Sequence, residues 1–309
     1  DITNITSKDI LKKLNMKSDD IDIIIGGPPC QGFSVSGKRM IDDPRNRLYK
    51  SFVGLVNEIK PKVFVMENVP GLIRLFGGKV KEQVLYDFTS LGYSVRVEQL
   101  SSDNYGVPQQ RKRVFFVGIN EKKILNSTEF VFPKPTYGEG KKAFVTCKDA
   151  ISDLDFVPDD ISLGENIPYK MPAQSEYQKL MRTNSDSIKN HSITIHKEQT
   201  KKIIAMVPDG GNYKDLPIEL QNTRKVHIAW TRMNSEKPCF TIDTGHNHHF
   251  HYNANRVPTV RESARIQSFP DKFEFVGIKT SQLKQVGNAV PPLMAEAIAK
   301  QVINIIEKG

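Results

Sequence analysis

Residues 21–34 read Ile21-Asp22-Ile23-Ile24-Ile25-Gly26-Gly27-Pro28-Pro29-Cys30-Gln31-Gly32-Phe33-Ser34. An apolar, β-branched run that breaks into two glycines and two prolines reads as a buried strand running out into a rigid turn. Cys30 then lies beyond the carboxyl end of a strand, where open α/β sheets place their chemistry. Consecutive prolines fix the backbone ahead of the thiol, so the group is aimed. A lone cysteine after a turn is more often a packing residue. Three stretches further along the chain shift that balance.

The first is Val63-Phe64-Val65-Met66-Glu67-Asn68-Val69, a second apolar run ending in a polar pair. It places Glu67 at the mouth of a second strand, where a dry cleft can raise a carboxyl pKa and let it share a proton with a ring nitrogen. A plain Glu-Asn helix cap fits the same residues in isolation. The second is Gln109-Gln110-Arg111-Lys112-Arg113, which leads into a strand over 114–119. Arginines at alternate strand positions point to one side and suit a shared anionic or carbonyl target. The third is Gln285-Val286-Gly287-Asn288-Ala289-Val290-Pro291-Pro292, where a Gly-Asn loop opens a helix started by proline and offers free backbone N–H groups.

Pro28-Pro29-Cys30-Gln31, Glu67-Asn68-Val69, the Gln109/Arg111/Arg113 alternation, Arg261-Glu262-Ser263-Ala264-Arg265-Ile266-Gln267-Ser268-Phe269-Pro270 and Gly287-Asn288-Ala289-Val290 follow one another in a fixed order. In that order they resemble the motifs of bacterial DNA (cytosine-5)-methyltransferases of restriction–modification systems, from the first residue to about the last helix. The resemblance implies an α/β fold: an S-adenosylmethionine-dependent methyltransferase (Rossmann-like) catalytic domain plus a smaller target recognition domain. The corresponding boundaries are 1–122 for the catalytic domain, 123–283 for target recognition, and 284–309 for a segment returning to the catalytic domain.

The implied reaction methylates carbon 5 of a flipped-out cytosine in double-stranded DNA, with S-adenosyl-L-methionine as cofactor. Carbon 5 is a poor nucleophile until a thiolate adds to carbon 6 and makes the ring enamine-like. By the resemblance, Cys30 is that nucleophile and Glu67 holds N4 and N3. Arg113 reaches O2, with Arg111 and Gln109 in support. Asp1, Ile2, Pro29, Leu48, Asn288 and Ala289 fall at cofactor positions, and Ser34, Ser36 and Lys38 on a loop that closes over the flipped nucleotide. Arg232, within Trp230-Thr231-Arg232-Met233-Asn234, and the turn Asp209-Gly210-Gly211-Asn212 are candidates for base or phosphate contacts, against an equal expectation of a turn followed by packed strand residues.

Composition agrees. The 309 residues carry 38% hydrophobic and 26% charged side chains and a net charge of +9, which suits a folded chain with a polyanionic partner. Cys30, Cys147 and Cys239 are the only cysteines and form no CxxC, which argues against a disulfide framework or a thiolate zinc site. No apolar run reaches membrane length and no signal peptide is evident, so the default is a cytoplasmic protein with no membrane partner. Strands are expected at 21–25, 63–66, 93–99 and 114–119, and helices at 49–59, 80–91 and 293–306, an alternation that predicts a mostly parallel sheet. Residues 121–255 lack clean periodicity, and 261–271 are expected in the smaller domain. There, His246, His248, His249 and His251 form a cluster read as a polar loop or strand along DNA rather than a metal site, since carboxylate or cysteine partners are missing.

The chain departs from the family at its start. The family opens with a Gly-rich loop, an acidic residue and an aspartate after three successive strands, whereas this chain begins at what resembles the third, Asp1-Ile2-Thr3. The preferred expectation is that upstream residues exist outside this numbering. A second polypeptide supplying the first strands, or a DNA-binding relic without cofactor, are the alternatives. In each case the strand at 21–25 is expected to be an exposed apolar edge. A transfer RNA methyltransferase remains a competing class, because Pro238-Cys239-Phe240-Thr241 is similar to a motif of that branch; a plain binding module is the other.

Overall fold

The structure, a computed structural model, describes residues 2–29, 47–124, 129–154, 166–221, 230–245 and 249–308. The chain forms two compact units, one comprising 1–101, 112–134 and 297–309, the other 102–111 and 135–296. The limits of these units lie at 134 and 296, beside the domain boundaries expected after 122 and 283, and a ten-residue excursion between two paired strands belongs to the second unit.

In the first unit, α1 (Ser7–Leu14) starts at a capping box in which the Asp9 N–H donates to Thr6 Oγ1 and the Thr6 N–H donates to Asp9 Oδ2. Then come β1 (Ile23–Gly26), α2 (Arg47–Ile59), β2 (Val63–Asn68), α3 (Lys79–Thr89), β3 (Tyr93–Ser101) and β4 (Lys112–Asn120). The sheet order is β1-β2-β4-β3. Among the described residues of this sheet, only β1 and β2 pair in parallel; β4 runs antiparallel to both β2 and β3. The expectation of a mostly parallel sheet is thus corrected. A chain leaving β3 and returning as its direct neighbour β4 must reverse direction, whatever the helix–strand alternation before it.

Val63, Phe64, Val65 and Met66 of β2 are all buried, as an inner strand packed on both faces requires. Phe64 is the hub of the core. Its ring stacks on Phe88 at 4.0 Å and meets Tyr93 at 5.3 Å and Phe52 at 6.3 Å, both edge-on. Its register partner is Gly118, and a Cβ there would lie 2.6 Å from Phe64 Cζ, so only glycine leaves the ring its place. β1 lies at the sheet's end with Ile25 76% exposed, in line with an apolar edge.

The second unit contains α4 (Cys147–Ile151), β5 (Ile167–Pro168), α5 (Glu176–Met181), β6 (Ser187–Ile188), α6 (Glu198–Met206), α7 (Ile218–Gln221), β7 (Thr231–Arg232), β8 (His249–Phe250), α8 (Val260–Ile266), α9 (Lys279–Asn288) and the start of α10 (Pro292–Lys308). Its core gathers Cys147, Ile151, Leu154, Met181, Ile188, Met233, Cys239 and Ile266.

Every residue of α8 is buried, charged ones included. That is tolerable only because the charges are paired. Arg265 bonds Asp153 at 2.9 Å and Asp271 at 2.6 Å, while Arg182 reaches the same Asp153. Arg256 makes a two-pronged bond to Glu262 at 2.6 and 2.7 Å. Burial alone would raise the Glu262 pKa, but Arg256 and then His251 outweigh it and hold the group far below the usual carboxylate range.

Candidate active site

In the first unit, β1 and β2 run side by side until Gly26, opposite Met66, where β1 ends and β2 continues for two more residues. Asn68, buried at the end of β2, donates from Nδ2 to the Pro28 carbonyl at 2.9 Å, while its Oδ1 accepts from the Val69 N–H at 2.9 Å. The side chain thereby ties the glycine–proline turn to the neighbouring strand, two residues before Cys30. Asn68 is a structural tie that the sequence shows only as half of a Glu-Asn pair.

Glu67 extends from β2, and Arg113 is the second residue of β4. Arg113 Nε lies 2.8 Å from Glu67 Oε1, with side chains 13% and 18% exposed. Arg113 Nη1 donates to the Lys112 carbonyl at 2.7 Å, which restrains the guanidinium further. Burial lowers the Arg113 pKa below the usual arginine value, with Glu67 opposing the shift. Gly27 leaves space for the carboxylate, since a Cβ at 27 would stand 3.1 Å from Glu67 Oε2. The pair offers a rigid acceptor beside a rigid donor on the edge of a core. That suits recognition of a planar group carrying both an N–H and a carbonyl.

Arg111 and Gln109 do something else. Arg111 precedes β4 rather than lying in it, and it is fully buried in the second unit. Its Nη2 donates to the Gly287 carbonyl at 2.7 Å and Nη1 to the Ile242 carbonyl at 3.4 Å. Gln109 is buried too; its Nε2 donates to Gln267 Oε1, and its Oε1 accepts from the Ile242 N–H at 3.0 Å. The alternate-position reading that gave both arginines one target is therefore corrected. A contact of Gln109 with DNA is corrected likewise, because a side chain with no exposed surface has no groove edge to meet.

Arg232 is corrected on the same ground. It is 4% exposed, and its guanidinium donates to the carbonyls of Val207, His251, Ala254 and Ile204 and to Asn255 Oδ1. It knits a loop together and has no phosphate to reach. His251 is fully buried, with Nδ1 accepting from the N–H groups of Asn253 and Ala254, so it does not line a DNA surface; His246 and His248 lie outside the described residues. Asp209 accepts from the Ser235 N–H and hydroxyl at 2.9 and 2.6 Å, the packed-turn alternative of its stretch.

Of the cofactor candidates, Ile2, Leu48 and Ala289 are half-buried, and Pro29 and Asn288 are exposed. Asp1, Cys30, Ser34, Ser36 and Lys38 lie outside the described residues. The other two cysteines are buried in the second unit's core, where burial and then the neighbouring Cys147 push the Cys239 thiol well above its usual value. A thiol held protonated is no nucleophile. The backbone of Cys239 instead clamps Pro108 and Gln110, at 2.9 and 2.7 Å, so the stretch that is similar to a transfer RNA motif has a structural task here.

Sequence reading passed over Gln267 and Ser268 within the 261–270 stretch, and over Asp153, Asp271 and Arg182. Most of their partners stand far away in sequence, and the nearest, Arg265 for Asp271, is six positions off along an irregular stretch, so no local pattern announces them.

A family profile for C-5 cytosine-specific DNA methylases matches residues 1–304. The chain is 37% identical to the Type II methyltransferase M1.HphI of Haemophilus parahaemolyticus over 99% of its own length and 74% of that protein's. It is 36% identical to M.DdeI of Desulfomicrobium norvegicum, covering 98% and 76%. Among solved structures, a protein described as a DNA modification methyltransferase encoded within a prophage (E. coli) superposes with a TM-score of 0.76 at 27% identity, covering 99% of this chain and 85% of that one. The Dnmt2 methyltransferase of S. pombe, at 16% identity and a TM-score of 0.51, shares the fold.

Proposed function

Because the chain belongs to the C-5 cytosine-specific DNA methylases, we propose that it methylates a flipped-out cytosine within one duplex sequence, through a covalent Cys30 adduct, as part of a restriction–modification system. The enzyme class itself, DNA (cytosine-5-)-methyltransferase, stands on the family and on several Type II methyltransferase relatives. The observation that carries the finer reading is the Glu67–Arg113 pair at 2.8 Å, with Glu67 on the strand that neighbours the one leading to Cys30 and Arg113 on the next strand over.

Cytosine presents N4–H, N3 and O2 along one edge. Glu67 accepts from N4 and shares a proton with N3, and Arg113 donates to O2. Negative charge builds on that edge as the Cys30 thiolate forms a bond to carbon 6, and the neighbouring guanidinium stabilises it. The charge of Arg113 also favours the thiolate form of a nearby cysteine. Asn68 ties the Pro28 carbonyl to β2 and so fixes the turn that precedes Cys30 in the sequence.

S-adenosyl-L-methionine, when bound, supplies the methyl group as a sulfonium. The described candidates fit part of it. Asn288, exposed and without a side-chain hydrogen bond among the described residues, can donate and accept at a ring or hydroxyl edge. Double-stranded DNA is the partner, and the net charge of +9 favours it. The comparisons lend no support to a second polypeptide. Among the described residues no single helix is long and apolar enough to cross a membrane, and a cytoplasmic location fits this reading.

Methyl transfer from radiolabelled S-adenosyl-L-methionine to duplex DNA tests the proposal. Cys30→Ala should abolish transfer and keep DNA affinity within about threefold, and Glu67→Gln should slow transfer by about 100-fold. Methylation of transfer RNA in place of duplex DNA, or an active Cys30→Ala protein, would overturn it.

A further inference from the structure

The junction of α9 and α10 carries Asn288, the last residue of α9, and Ala289, its C-cap, whose N–H donates to the Val286 carbonyl at 3.3 Å; the last carbonyls of α9 and the first N–H groups of α10 have few partners within their own helices. Two consecutive residues from the distant end of α8 satisfy both sides. Gln267 Nε2 donates to the Val286 carbonyl at 3.2 Å and to the Ala289 carbonyl at 2.6 Å. Ser268 Oγ accepts from the Leu293 N–H at 3.2 Å, acting as a cap supplied from elsewhere in the chain. Gln109 holds Gln267 in turn, and Arg111 takes the Gly287 carbonyl. Gly287 is pressed so closely on the 243–244 backbone that a Cβ there would lie 2.7 Å from the Asp243 carbonyl carbon.

Ser268 adds a second observation. Its φ of +67° lies in the left-handed region, where a serine is strained and glycine is not. Backbone strain of this kind persists where the surrounding structure uses it. At this position the hydroxyl that glycine lacks is the group that caps α10.

We propose that Gln267 and Ser268 are positioning residues that hold the Asn288–Ala289 turn in its cofactor-binding shape, and so set the affinity for S-adenosyl-L-methionine. The inference rests on the assignment of that turn to the cofactor. Neither residue touches the reacting atoms; each acts through the backbone it braces.

Ser268→Gly separates positioning from stability, because it relieves the strained φ while removing the cap. Gln267→Met keeps the length and volume of the side chain and removes the amide. In the full-length protein, both variants should bind S-adenosylhomocysteine about tenfold more weakly by calorimetry. Their affinity for duplex DNA should stay within about twofold of the parent. Amide hydrogen exchange without any ligand should quicken over 285–295 and stay unchanged over the rest of the second unit. Asn288→Ala serves as the control for the underlying assignment. If it weakens cofactor binding while Ser268→Gly and Gln267→Met bind like the parent, the inference is wrong and the assignment survives. If Asn288→Ala is also parent-like, or the parent binds no cofactor, the assignment falls and the inference falls with it. A loss of affinity accompanied by faster exchange throughout the second unit would make both residues merely structural and would equally overturn the proposal.

Discussion

Replacing Gly118 with alanine drives a methyl group into the ring of Phe64. A Cβ at 118 lies 2.6 Å from Phe64 Cζ and 2.7 Å from Cδ1, whereas carbon atoms rest at about 3.5–4.0 Å. Cε1 of the ring is closer still, so the ring would need to retreat by about 1.5–2 Å to restore that spacing. It has nowhere to go, being stacked on Phe88 at 4.0 Å with Tyr93 and Fully buried neighbours around it. Overpacking of cores costs about 1–3 kcal/mol, and this confinement points to the upper end, about 3 kcal/mol. Phe64→Leu alone leaves a void and should cost about 2 kcal/mol. In the double variant the new methyl occupies part of that void, so the two losses should fall short of their sum by about 1–2 kcal/mol. Urea unfolding of all four proteins, followed by circular dichroism, measures the cycle. Because Phe64 and Gly118 are register partners in the ladder that also carries Glu67, the single variant should lose methyl transfer as well. A Gly118→Ala protein within about 0.5 kcal/mol of the parent, or strictly additive losses, would refute the reasoning.

Gly27→Ala should lower kcat for methyl transfer about tenfold with little change in melting temperature, since its Cβ would crowd Glu67 Oε2 at 3.1 Å; parent-like turnover would show that the carboxylate position is not critical. Arg265→Met strands the buried Asp153 and Asp271 carboxylates and should cost about 3–5 kcal/mol by urea unfolding. That loss should be similar at low and high salt, because buried pairs are poorly screened; strong salt dependence would count against the assigned burial. Burial pushes the Tyr93 phenol up to about 12, and its hydroxyl donates to the Pro61 carbonyl at 2.9 Å. The folded state thus keeps a proton that the unfolded chain loses near the ordinary tyrosine value of 10.0, so this contribution is whole below that pH and disappears as pH rises toward about 12. Stability that stays flat over that window, alongside a Tyr93→Phe control, would contradict the burial of the hydroxyl.

What the sequence determined by itself is local. Runs such as 63–66 and 114–119 carry their strand character in their own apolar, β-branched content, and the turn at Gly26–Pro29 is dictated by residues that can do little else. Ordered motifs were enough to identify the family and to single out Glu67 and Arg113, but that the two pair with each other is seen only in the structure. Direction and burial were decided only by the tertiary structure. A helix–strand alternation does not say that β4 returns antiparallel between β2 and β3. An arginine looks the same in sequence whether it meets solvent, a substrate or a carbonyl. Arg113 stands by the neighbouring strand's carboxylate, while Arg111, two positions earlier, closes on a carbonyl 176 residues away, and Arg232 on carbonyls from several loops. Such groups go wherever unsatisfied backbone oxygens are buried, and those places exist only once distant segments have packed.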